Sequence, residues 1–490
     1  MLLVSILLLP LATGLVCLLV RSRPTLERLN LLAFAAGALL AGRLGARVIA
    51  AESVSALGGF LYADALSALV VGLTALVALV SGIYSVGYLR RDAGAGRITA
   101  TQLHRYYALT PLFVFAMLLV TLANNLGVMW VAIEGTTLAS VLLISFYNEK
   151  TSLEAAWKYI IIGSVGISLA LFGTILTYYA ALDVPGAKSE SGLNWSQLVG
   201  LARQFNPHAM RLAFIMALLG YGTKAGLAPM HTWKPDAYAE APVPAAAILA
   251  AGVLNCALYG IIRFYVLAEK CLGDHFAGNL LLGFGLASML VATPFILVQR
   301  NYRRLLAYSS IEHAGIMATA LGFGGRLGLL GAMLHMLFHA VTKPLLFFCA
   351  GNVQQHFGTP YLWKIRGAIR TMPLTSVFLL MATLAVTAVP PFSIFQSEFT
   401  VLSAGFASNH DWLAGLFVVC VVTIFAGFLH HMVQMNLGVP REETPRAVVC
   451  PWKHGAIALV AGIVVVLGVW LPSPLFQLVQ RTTQIIGGAP

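Results

Sequence analysis

The chain has 490 residues, of which 59% are apolar or aromatic and only 10% carry a charge, whereas a soluble protein carries roughly a quarter charged residues. This composition excludes a soluble globular protein and indicates a membrane protein, whose apolar runs of about 20 residues each cross the ~30 Å hydrocarbon core as a helix. The formal charge of +12 does not indicate nucleic-acid binding, because arginines in the short loops between spans are sufficient to explain it.

The apolar segments predict an all-α, polytopic membrane protein of about 14 transmembrane helices. The predicted spans are Met1–Val20, Leu29–Ala50, Asp64–Leu89, Thr110–Ala123, Leu126–Tyr147, Trp157–Ala181, Met210–Met230, Val243–Ala268, His275–Val298, Arg304–Gly322, Leu327–Gly351, Leu374–Phe406, Asp411–Met435 and Ala456–Pro472.

Basic residues are concentrated in the loops that follow odd-numbered spans. They are Arg21, Arg23, Arg28, Arg90, Arg91, Arg97, Arg105, Arg300, Arg303, Arg304, Lys364, Arg366 and Arg370. The positive-inside rule therefore places these loops in the cytoplasm. With an even number of spans in the cell inner (cytoplasmic) membrane, both termini are predicted to lie outside.

Two of the predicted spans are interrupted by proline. GLAP at Gly226–Pro229 interrupts the seventh span just after Lys224, and Pro390–Pro391 interrupts the twelfth span just before Glu398. Broken segments at corresponding places of two halves indicate inverted repeats with a transport site near the membrane midplane, although a packing kink is the alternative for either break. We predict two inverted five-helix repeats, each with a broken helix. The predicted parts are residues 1–105 with helices one to three, 106–270 with the first repeat, 271–437 with the second repeat, and 438–490 with the last helix.

Further titratable residues fall inside apolar segments, where a charge costs at least ~2.5–3.5 kcal/mol at the bilayer centre. They are Glu134, Lys158, Glu312, His313, His335, His339, Lys343, His430 and His431. Such residues face a partner or a wet cavity, so transport is the first hypothesis and structural pairing between helices is the alternative. The alternative has most force for Lys158, Glu312 and the His430–His431 pair, which lie near span ends.

No cofactor or metal is expected. The six cysteines are scattered without a CxxC pair, which argues against an iron–sulfur cluster or a zinc ribbon. GYGTK at 220–224 lacks the GxxxxGK[ST] spacing of a phosphate-binding loop. His335 and His339 share a helix face, but Met336 stands where the zinc motif HExxH has glutamate, and no third ligand is evident.

A lysine beside a carboxylate suits reversible proton binding in a membrane. Burial disfavours a charged amine, whereas a carboxylate at ~4 Å favours it by about 4 kcal/mol at an effective dielectric constant of ~20. Approach or withdrawal of Glu134 is therefore expected to switch Lys224 between holding and releasing a proton. His313, His335 and His339 suit relay positions, because histidine titrates near neutral pH.

These segments resemble a known family. GYGTKAGLAPMHTWKPDAYAEAP at 220–242 resembles the most characteristic motif of the antiporter-like membrane subunits shared by respiratory complex I, Mrp-type cation/proton antiporters and group 4 hydrogenases. RRLLAYSSIEHAGIM at 303–317 and HMLFHAVTKPLLFFCAG at 335–351 resemble later segments of that family. EGTTLASVLLISFY at 134–147 with SLEAAWKYIIIGSVGISLALFGT at 152–174 is most similar to the hydrogenase-4 component F branch.

The resemblance implies a set of proton-translocating residues. Glu134 matches the fifth-helix glutamate of the family, and Lys224 matches its seventh-helix lysine. His339 and Lys343 match the histidine and lysine of the second half-channel. Glu398 takes the place of the terminal lysine or glutamate on the broken twelfth helix.

One position departs from the family pattern. Asn255 stands where several complex I members have lysine or histidine on the eighth helix. Because asparagine cannot hold a proton near neutral pH, this position cannot carry a proton between the two half-channels. Water or His231 is expected to do so instead.

The combined expectation is a proton-translocating membrane-arm subunit of a group 4 [NiFe] hydrogenase, formate hydrogenlyase-like or complex I-like complex, without catalytic residues of its own. The expected partners are other membrane-arm subunits, a peripheral hydrogenase or redox arm, and phospholipids, with no nucleic acid. The expected ion is the proton, with sodium as the alternative. The alternative functions are a Mrp-type cation/proton antiporter, a related carbon-uptake module and a non-conducting spacer.

Overall fold

A computed structural model describes residues 1–185, 192–439 and 445–487. Within these ranges the protein is almost entirely helical, which confirms the all-α prediction, and a short antiparallel hairpin is formed by β1 (Val54–Ala56) and β2 (Leu61–Ala63). The α-helices are α1 (Leu2–Leu19), α2 (Arg23–Ala51), α3 (Ala65–Gly94), α4 (Ala100–Leu122), α5 (Leu126–Ile144), α6 (Lys150–Ala181), α7 (Trp195–Leu201), α8 (Pro207–Ala225), α9 (Lys234–Glu240), α10 (Val243–Ile248), α11 (Leu254–Leu272), α12 (Phe276–Val298), α13 (Tyr302–Phe323), α14 (Gly325–Phe357), α15 (Ala368–Thr371), α16 (Pro373–Val386), α17 (Ser393–Ala407), α18 (Asp411–Leu437), α19 (Pro451–Val469) and α20 (Ser473–Gly487).

The described ranges contain 11 helices that are long and apolar enough to cross a membrane, where α10 and α11 count as one. This confirms a polytopic membrane protein, whereas the total of about 14 spans stays a prediction. Two of the remaining predicted spans are the broken segments. The third is α13, in which polar residues such as Glu312 and His313 lower the hydropathy.

The start of α4 differs from the sequence prediction. The helix begins at Ala100, whereas its apolar run predicted a start at Thr110. A capping box causes the earlier start, because Thr99 Oγ1 accepts from the Gln102 backbone and the Gln102 side chain accepts from the Thr99 backbone. The predicted division between residues 105 and 106 therefore falls inside a helix.

Both predicted helix breaks are present. α8 ends at Ala225, and its C-cap Gly226 has a left-handed φ of 77°, which favours glycine. The chain then runs through turns to α9, which begins at Lys234. The second break, at Pro390–Pro391, separates α16 from α17. The first break leaves the carbonyl end of a helix inside the protein, because Ala225 is fully buried.

The centre of the bundle is formed by the continuous α10–α11 segment and by α14. The most apolar window of each is 100% buried, whereas only 33% of that window is buried in α1 and α18. Glycines bring neighbouring helices into close contact. A Cβ on Gly220 of α8 would overlap the backbone nitrogen of Ala170 in α6, and one on Gly285 of α12 would overlap Thr319 Oγ1 in α13.

A buried ion pair fixes α3 against α11. Arg263 Nη1 and Nη2 donate to the two carboxylate oxygens of Asp64 at 2.6 and 2.8 Å. The guanidinium carbon also lies 3.9 Å from the ring centroid of Trp195. Both charged side chains are almost fully buried, so this pair holds the start of α3 against α11.

Candidate functional site

Lys224 is the centre of a hydrogen-bonded cluster between α5, α6 and α8. It lies in the last turn of α8 and is 5% exposed. Its Nζ donates to Thr137 Oγ1 at 2.7 Å and to the Tyr159 hydroxyl at 2.6 Å. Thr137 donates in turn to Glu134 Oε2 at 3.1 Å. The amine and the carboxylate are thus joined through a threonine hydroxyl rather than by a direct ion pair.

Thr137 and Tyr159 are site residues that the sequence analysis did not identify. A hydroxyl accepts one hydrogen bond while it donates another, so Thr137 joins Glu134 and Lys224 in one hydrogen-bonded chain. Thr137 lies one helical turn after Glu134, and this spacing was a usable signal for a shared face. Tyr159 is held by a second hydroxyl contact, at 2.7 Å from Ser140 Oγ.

A histidine chain lies between α13, α14 and α17. His313 Nδ1 is 2.9 Å from His335 Nε2, and His335 Nδ1 is 3.0 Å from Ser397 Oγ. The ring centroids of His339 and His313 are 5.1 Å apart. All three histidines are fully buried. The chain of contacts therefore runs from His339 to Ser397, the residue that precedes Glu398.

Lys343 and two buried glutamates form the next part of this region. Lys343 is fully buried, and its Nζ donates to Ser309 Oγ at 2.9 Å. Ser309, Glu312 and Glu398 together line a small cavity of about 10 Å³, which is close to the space that one water molecule needs. Glu312 and Glu398 are only 5% and 6% exposed. Glu312 therefore lies with the buried groups, although its place near a predicted span end favoured structural pairing.

From the sequence, the histidine pair considered as metal ligands was His335 and His339. The structure instead brings His335 together with two other residues of metal-ligand type. His313, His335 and Glu398 each offer one ligand atom within 4.8 Å of the others, and two imidazoles with a carboxylate are a zinc-type donor set. His339 is not in this set. The short contact between the His313 and His335 nitrogens is accounted for by a hydrogen bond between the two rings.

Lys158 lies apart from the buried groups. Its side chain is 45% exposed and forms ion pairs with Glu154 at 2.6 Å and Asp236 at 3.0 Å. Asp236 also pairs with Arg304. This network ties α6, α9 and α13 together near the surface, as the structural-pairing alternative expected for a lysine near a span end.

Asn255 and His231 are the two residues considered for the connection between the half-channels. Each has side-chain atoms without a hydrogen-bond partner in the described part of the chain. Asn255 is fully buried, and neither of its amide atoms has a hydrogen-bond partner in the described part of the chain. His231 lies in the turns after α8, and its Nδ1 likewise has no partner there. Neither side chain connects the Lys224 cluster to the histidine chain by a hydrogen bond.

Lys234 is a further buried lysine that the sequence analysis did not include in the candidate site. It is the first residue of α9 and is fully buried. Its Nζ donates to the carbonyl oxygens of Ala225 at 2.7 Å and Ser310 at 3.3 Å. The available signal was a lysine inside the interrupted segment itself, only ten residues after Lys224.

Comparison with known proteins identifies a family of membrane proteins that this chain resembles in sequence and in fold. Residues 123–426 match the family model described as NADH:quinone oxidoreductase/Mrp antiporter, transmembrane. The chain is 37% identical over 409 residues to a hydrogenase-4 component F homolog of Methylacidiphilum infernorum (isolate V4), which covers 83% of this chain and 86% of the relative.

Solved structures show the same fold. A chain of the Mrp complex from Dietzia sp. DQ12-45-1b superposes with a TM-score of 0.87 at 19% identity, over 99% of this chain and 97% of that chain. A chain of respiratory complex I from Thermus thermophilus superposes with a TM-score of 0.74 at 25% identity, over 96% of this chain and 97% of that chain.

Proposed function

Because the chain belongs to the NADH:quinone oxidoreductase/Mrp antiporter family of membrane subunits, we propose that it translocates protons as a membrane-arm subunit of a group 4 [NiFe] hydrogenase or a related complex. The observation that supports this best is the set of buried titratable groups linked by hydroxyls. A packing role does not require lysines, histidines and glutamates in the centre of an apolar bundle, where charges are costly.

The first half of the proposed path uses Glu134, Thr137 and Lys224. Glu134 is only partly buried and is the most exposed of the three. A proton on Lys224 reaches the carboxylate when the amine donates to Thr137 and Thr137 donates to Glu134. Moving one charge through a potential of 100 mV costs about 2.3 kcal/mol, which is less than the interaction of about 4 kcal/mol between unit charges ~4 Å apart near a protein surface. Approach of Glu134 from its threonine-bridged position to ~4 Å from the amine is therefore sufficient to load the amine, and its withdrawal is sufficient to unload it.

The second half of the proposed path uses Lys343, the histidine chain and Glu398. Lys343 contacts Ser309, which lines the same small cavity as Glu312 and Glu398. Glu398 also lines a cavity of about 360 Å³ beside the break between α16 and α17. A proton that reaches Glu398 is thus next to the interrupted part of the twelfth span and to this cavity.

The chemistry of these groups favours the proton over sodium. Amines and imidazoles bind protons, whereas hard cations take oxygen ligands, and the central positions of both halves are nitrogen groups. The 37% identity to a hydrogenase-4 component F homolog supports a hydrogenase-type complex. The Mrp likeness, at 19% identity, concerns the fold alone. We further propose an inner-membrane location. Both termini are placed outside because the basic loops after odd-numbered spans are expected to lie in the cytoplasm.

The test is to purify the complex that contains this chain in mild detergent and to reconstitute it in sealed vesicles. We expect [NiFe] hydrogenase subunits to copurify. We also expect its electron donor to change the internal pH, followed with a pH-sensitive dye, in a sodium-free buffer. Copurification with antiporter subunits alone, together with ion flux that requires ²²Na⁺ movement, would reject the proposal in favour of a cation antiporter.

A further inference from the structure

The two halves of the proposed path need a connecting group, and Asn255 cannot supply one. Asparagine neither gains nor loses a proton near neutral pH, and its amide has no hydrogen-bond partner in the described ranges. The connection must therefore come from a titratable side chain that reaches both halves, or from water alone.

The amine of Lys234 contacts backbone carbonyls that belong to both halves. Its amine contacts the carbonyl of Ala225, which directly follows Lys224 in the first predicted repeat. The same amine contacts the carbonyl of Ser310 on α13, in the second predicted repeat. The neighbouring residue Ser309 accepts a hydrogen bond from Lys343. Ser309 and Ser310, which are consecutive on α13, thus contact Lys343 and Lys234, respectively.

The backbone at the first break is shaped around the Lys234 side chain. A Cβ on Gly226 would lie 2.6 Å from Lys234 Cδ and 3.0 Å from its Nζ. The Ala225 carbonyl belongs to the last turn of α8, where carbonyl groups lack helical partners and the helix dipole favours a cation. The break therefore places a carbonyl that can bind a cation next to the Lys234 amine. Glycine at position 226 leaves the room that the Lys234 side chain needs.

Lys234 is held by neutral groups and not by a counter-ion. Its two hydrogen-bond acceptors are backbone carbonyls, and no carboxylate forms an ion pair with it within the described ranges. Arg263 differs, because its bidentate pair with Asp64 fixes the charge. Without such a pair, Lys234 can gain and lose a proton without breaking an ion pair.

We propose that Lys234 is the proton-exchange group between the two halves of the path. This inference rests on the proposed function. A proton passes from the Lys224 cluster to the neutral amine of Lys234, and then along α13 to the neutral amine of Lys343. Each step moves one proton from a protonated amine to a neutral amine through water, and Ser309 is the hydroxyl bonded to the receiving amine of Lys343.

The test uses substitutions of Lys234 in the intact complex, reconstituted in sealed vesicles with a pH-sensitive dye. Lys234→Met cannot bind a proton, and Lys234→Arg keeps the charge but cannot release its proton. We expect both variants to lower proton translocation at least tenfold. Lys234→His, which titrates near neutral pH, is expected to translocate more than either of them. The matched control is Lys270→Met, since Lys270 also donates to a carbonyl, that of Val199 at 3.5 Å, but lies at the end of α11 away from the path.

The outcomes separate this inference from the proposed function. Translocation by Lys234→Arg at the wild-type level would overturn the exchange role, because a fixed charge would then suffice. If Lys234→Met does not assemble, the comparison between Lys234→Arg and Lys234→His decides. Loss of translocation in Lys224→Met with wild-type translocation in both Lys234→Met and Lys234→Arg would refute the inference alone. Wild-type translocation in Lys224→Met would refute the proposed function.

Discussion

Replacing Thr137 with valine removes the hydroxyl that joins the Lys224 amine to the Glu134 carboxylate and keeps a side chain of similar shape. In the structure this hydroxyl makes two contacts, at 2.7 Å to Lys224 Nζ and at 3.1 Å to Glu134 Oε2. A hydrogen bond to a charged group contributes about 1.5–3 kcal/mol. If that loss falls on the transfer step, translocation slows roughly 10- to 150-fold, since about 1.36 kcal/mol corresponds to a factor of ten in rate.

The assay compares initial rates of proton translocation, per electron transferred, in vesicles that contain the intact complex. Thr137→Ser keeps the hydroxyl and is expected to retain translocation. Thr136→Val is the matched control, because the Thr136 hydroxyl donates only to the Ile133 carbonyl of its own helix. Equal rates for Thr137→Val and Thr136→Val would refute the view that Thr137 carries protons between Glu134 and Lys224.

Two further predictions concern the framework around the site. Gly226→Ala should destabilise the protein by about 1–2 kcal/mol from backbone strain alone, because φ is 77°. The new Cβ would in addition meet the Lys234 side chain. The control is Gly283→Ala, which should not lower the thermal midpoint, because nothing lies within 4 Å of a Cβ at that position. Asp64→Asn should destabilise by about 3–5 kcal/mol, because it leaves the buried Arg263 charge without its partner; a thermal midpoint within experimental error of wild type would contradict this.

The control for the Asp64 substitution is an exposed pair. Asp274 pairs with Arg211, and both side chains are more than a third exposed. Pairs of this kind contribute about 0–1 kcal/mol, so Asp274→Asn should leave the unfolding midpoint nearly unchanged. A similar loss for both aspartates would mean that burial of the Asp64 pair is not what makes it important.

The helix breaks and the buried charges could be predicted from the sequence because their signals are local. Proline and glycine at Gly226–Pro229 and Pro390–Pro391 interrupt apolar runs, and the structure shows a break at each place. A charged residue in such a run stands out in the same way, which is why Lys224, Lys343 and Glu398 were identified. Each is buried in the structure.

The connections between these residues could not be predicted, because they depend on how helices pack. Lys158 and Lys224 both follow apolar or small residues in helical sequence, yet Lys158 meets Asp236 from α9 at the surface and Lys224 meets Thr137 inside. The local sequence around each lysine does not indicate which helix will pack against its side chain. Lys234 was passed over for the same reason, since its contact with Ser310 appears only when α13 is packed against α9.

The most direct measurement of the central claim is the number of protons translocated per electron in sealed vesicles that contain the intact complex, for the wild type and for Lys224→Ala. Electron transfer and subunit composition are measured in the same preparations. We predict that Lys224→Ala assembles and that its protons per electron fall at least tenfold. An unchanged ratio in a fully assembled complex would contradict proton translocation through the buried lysines.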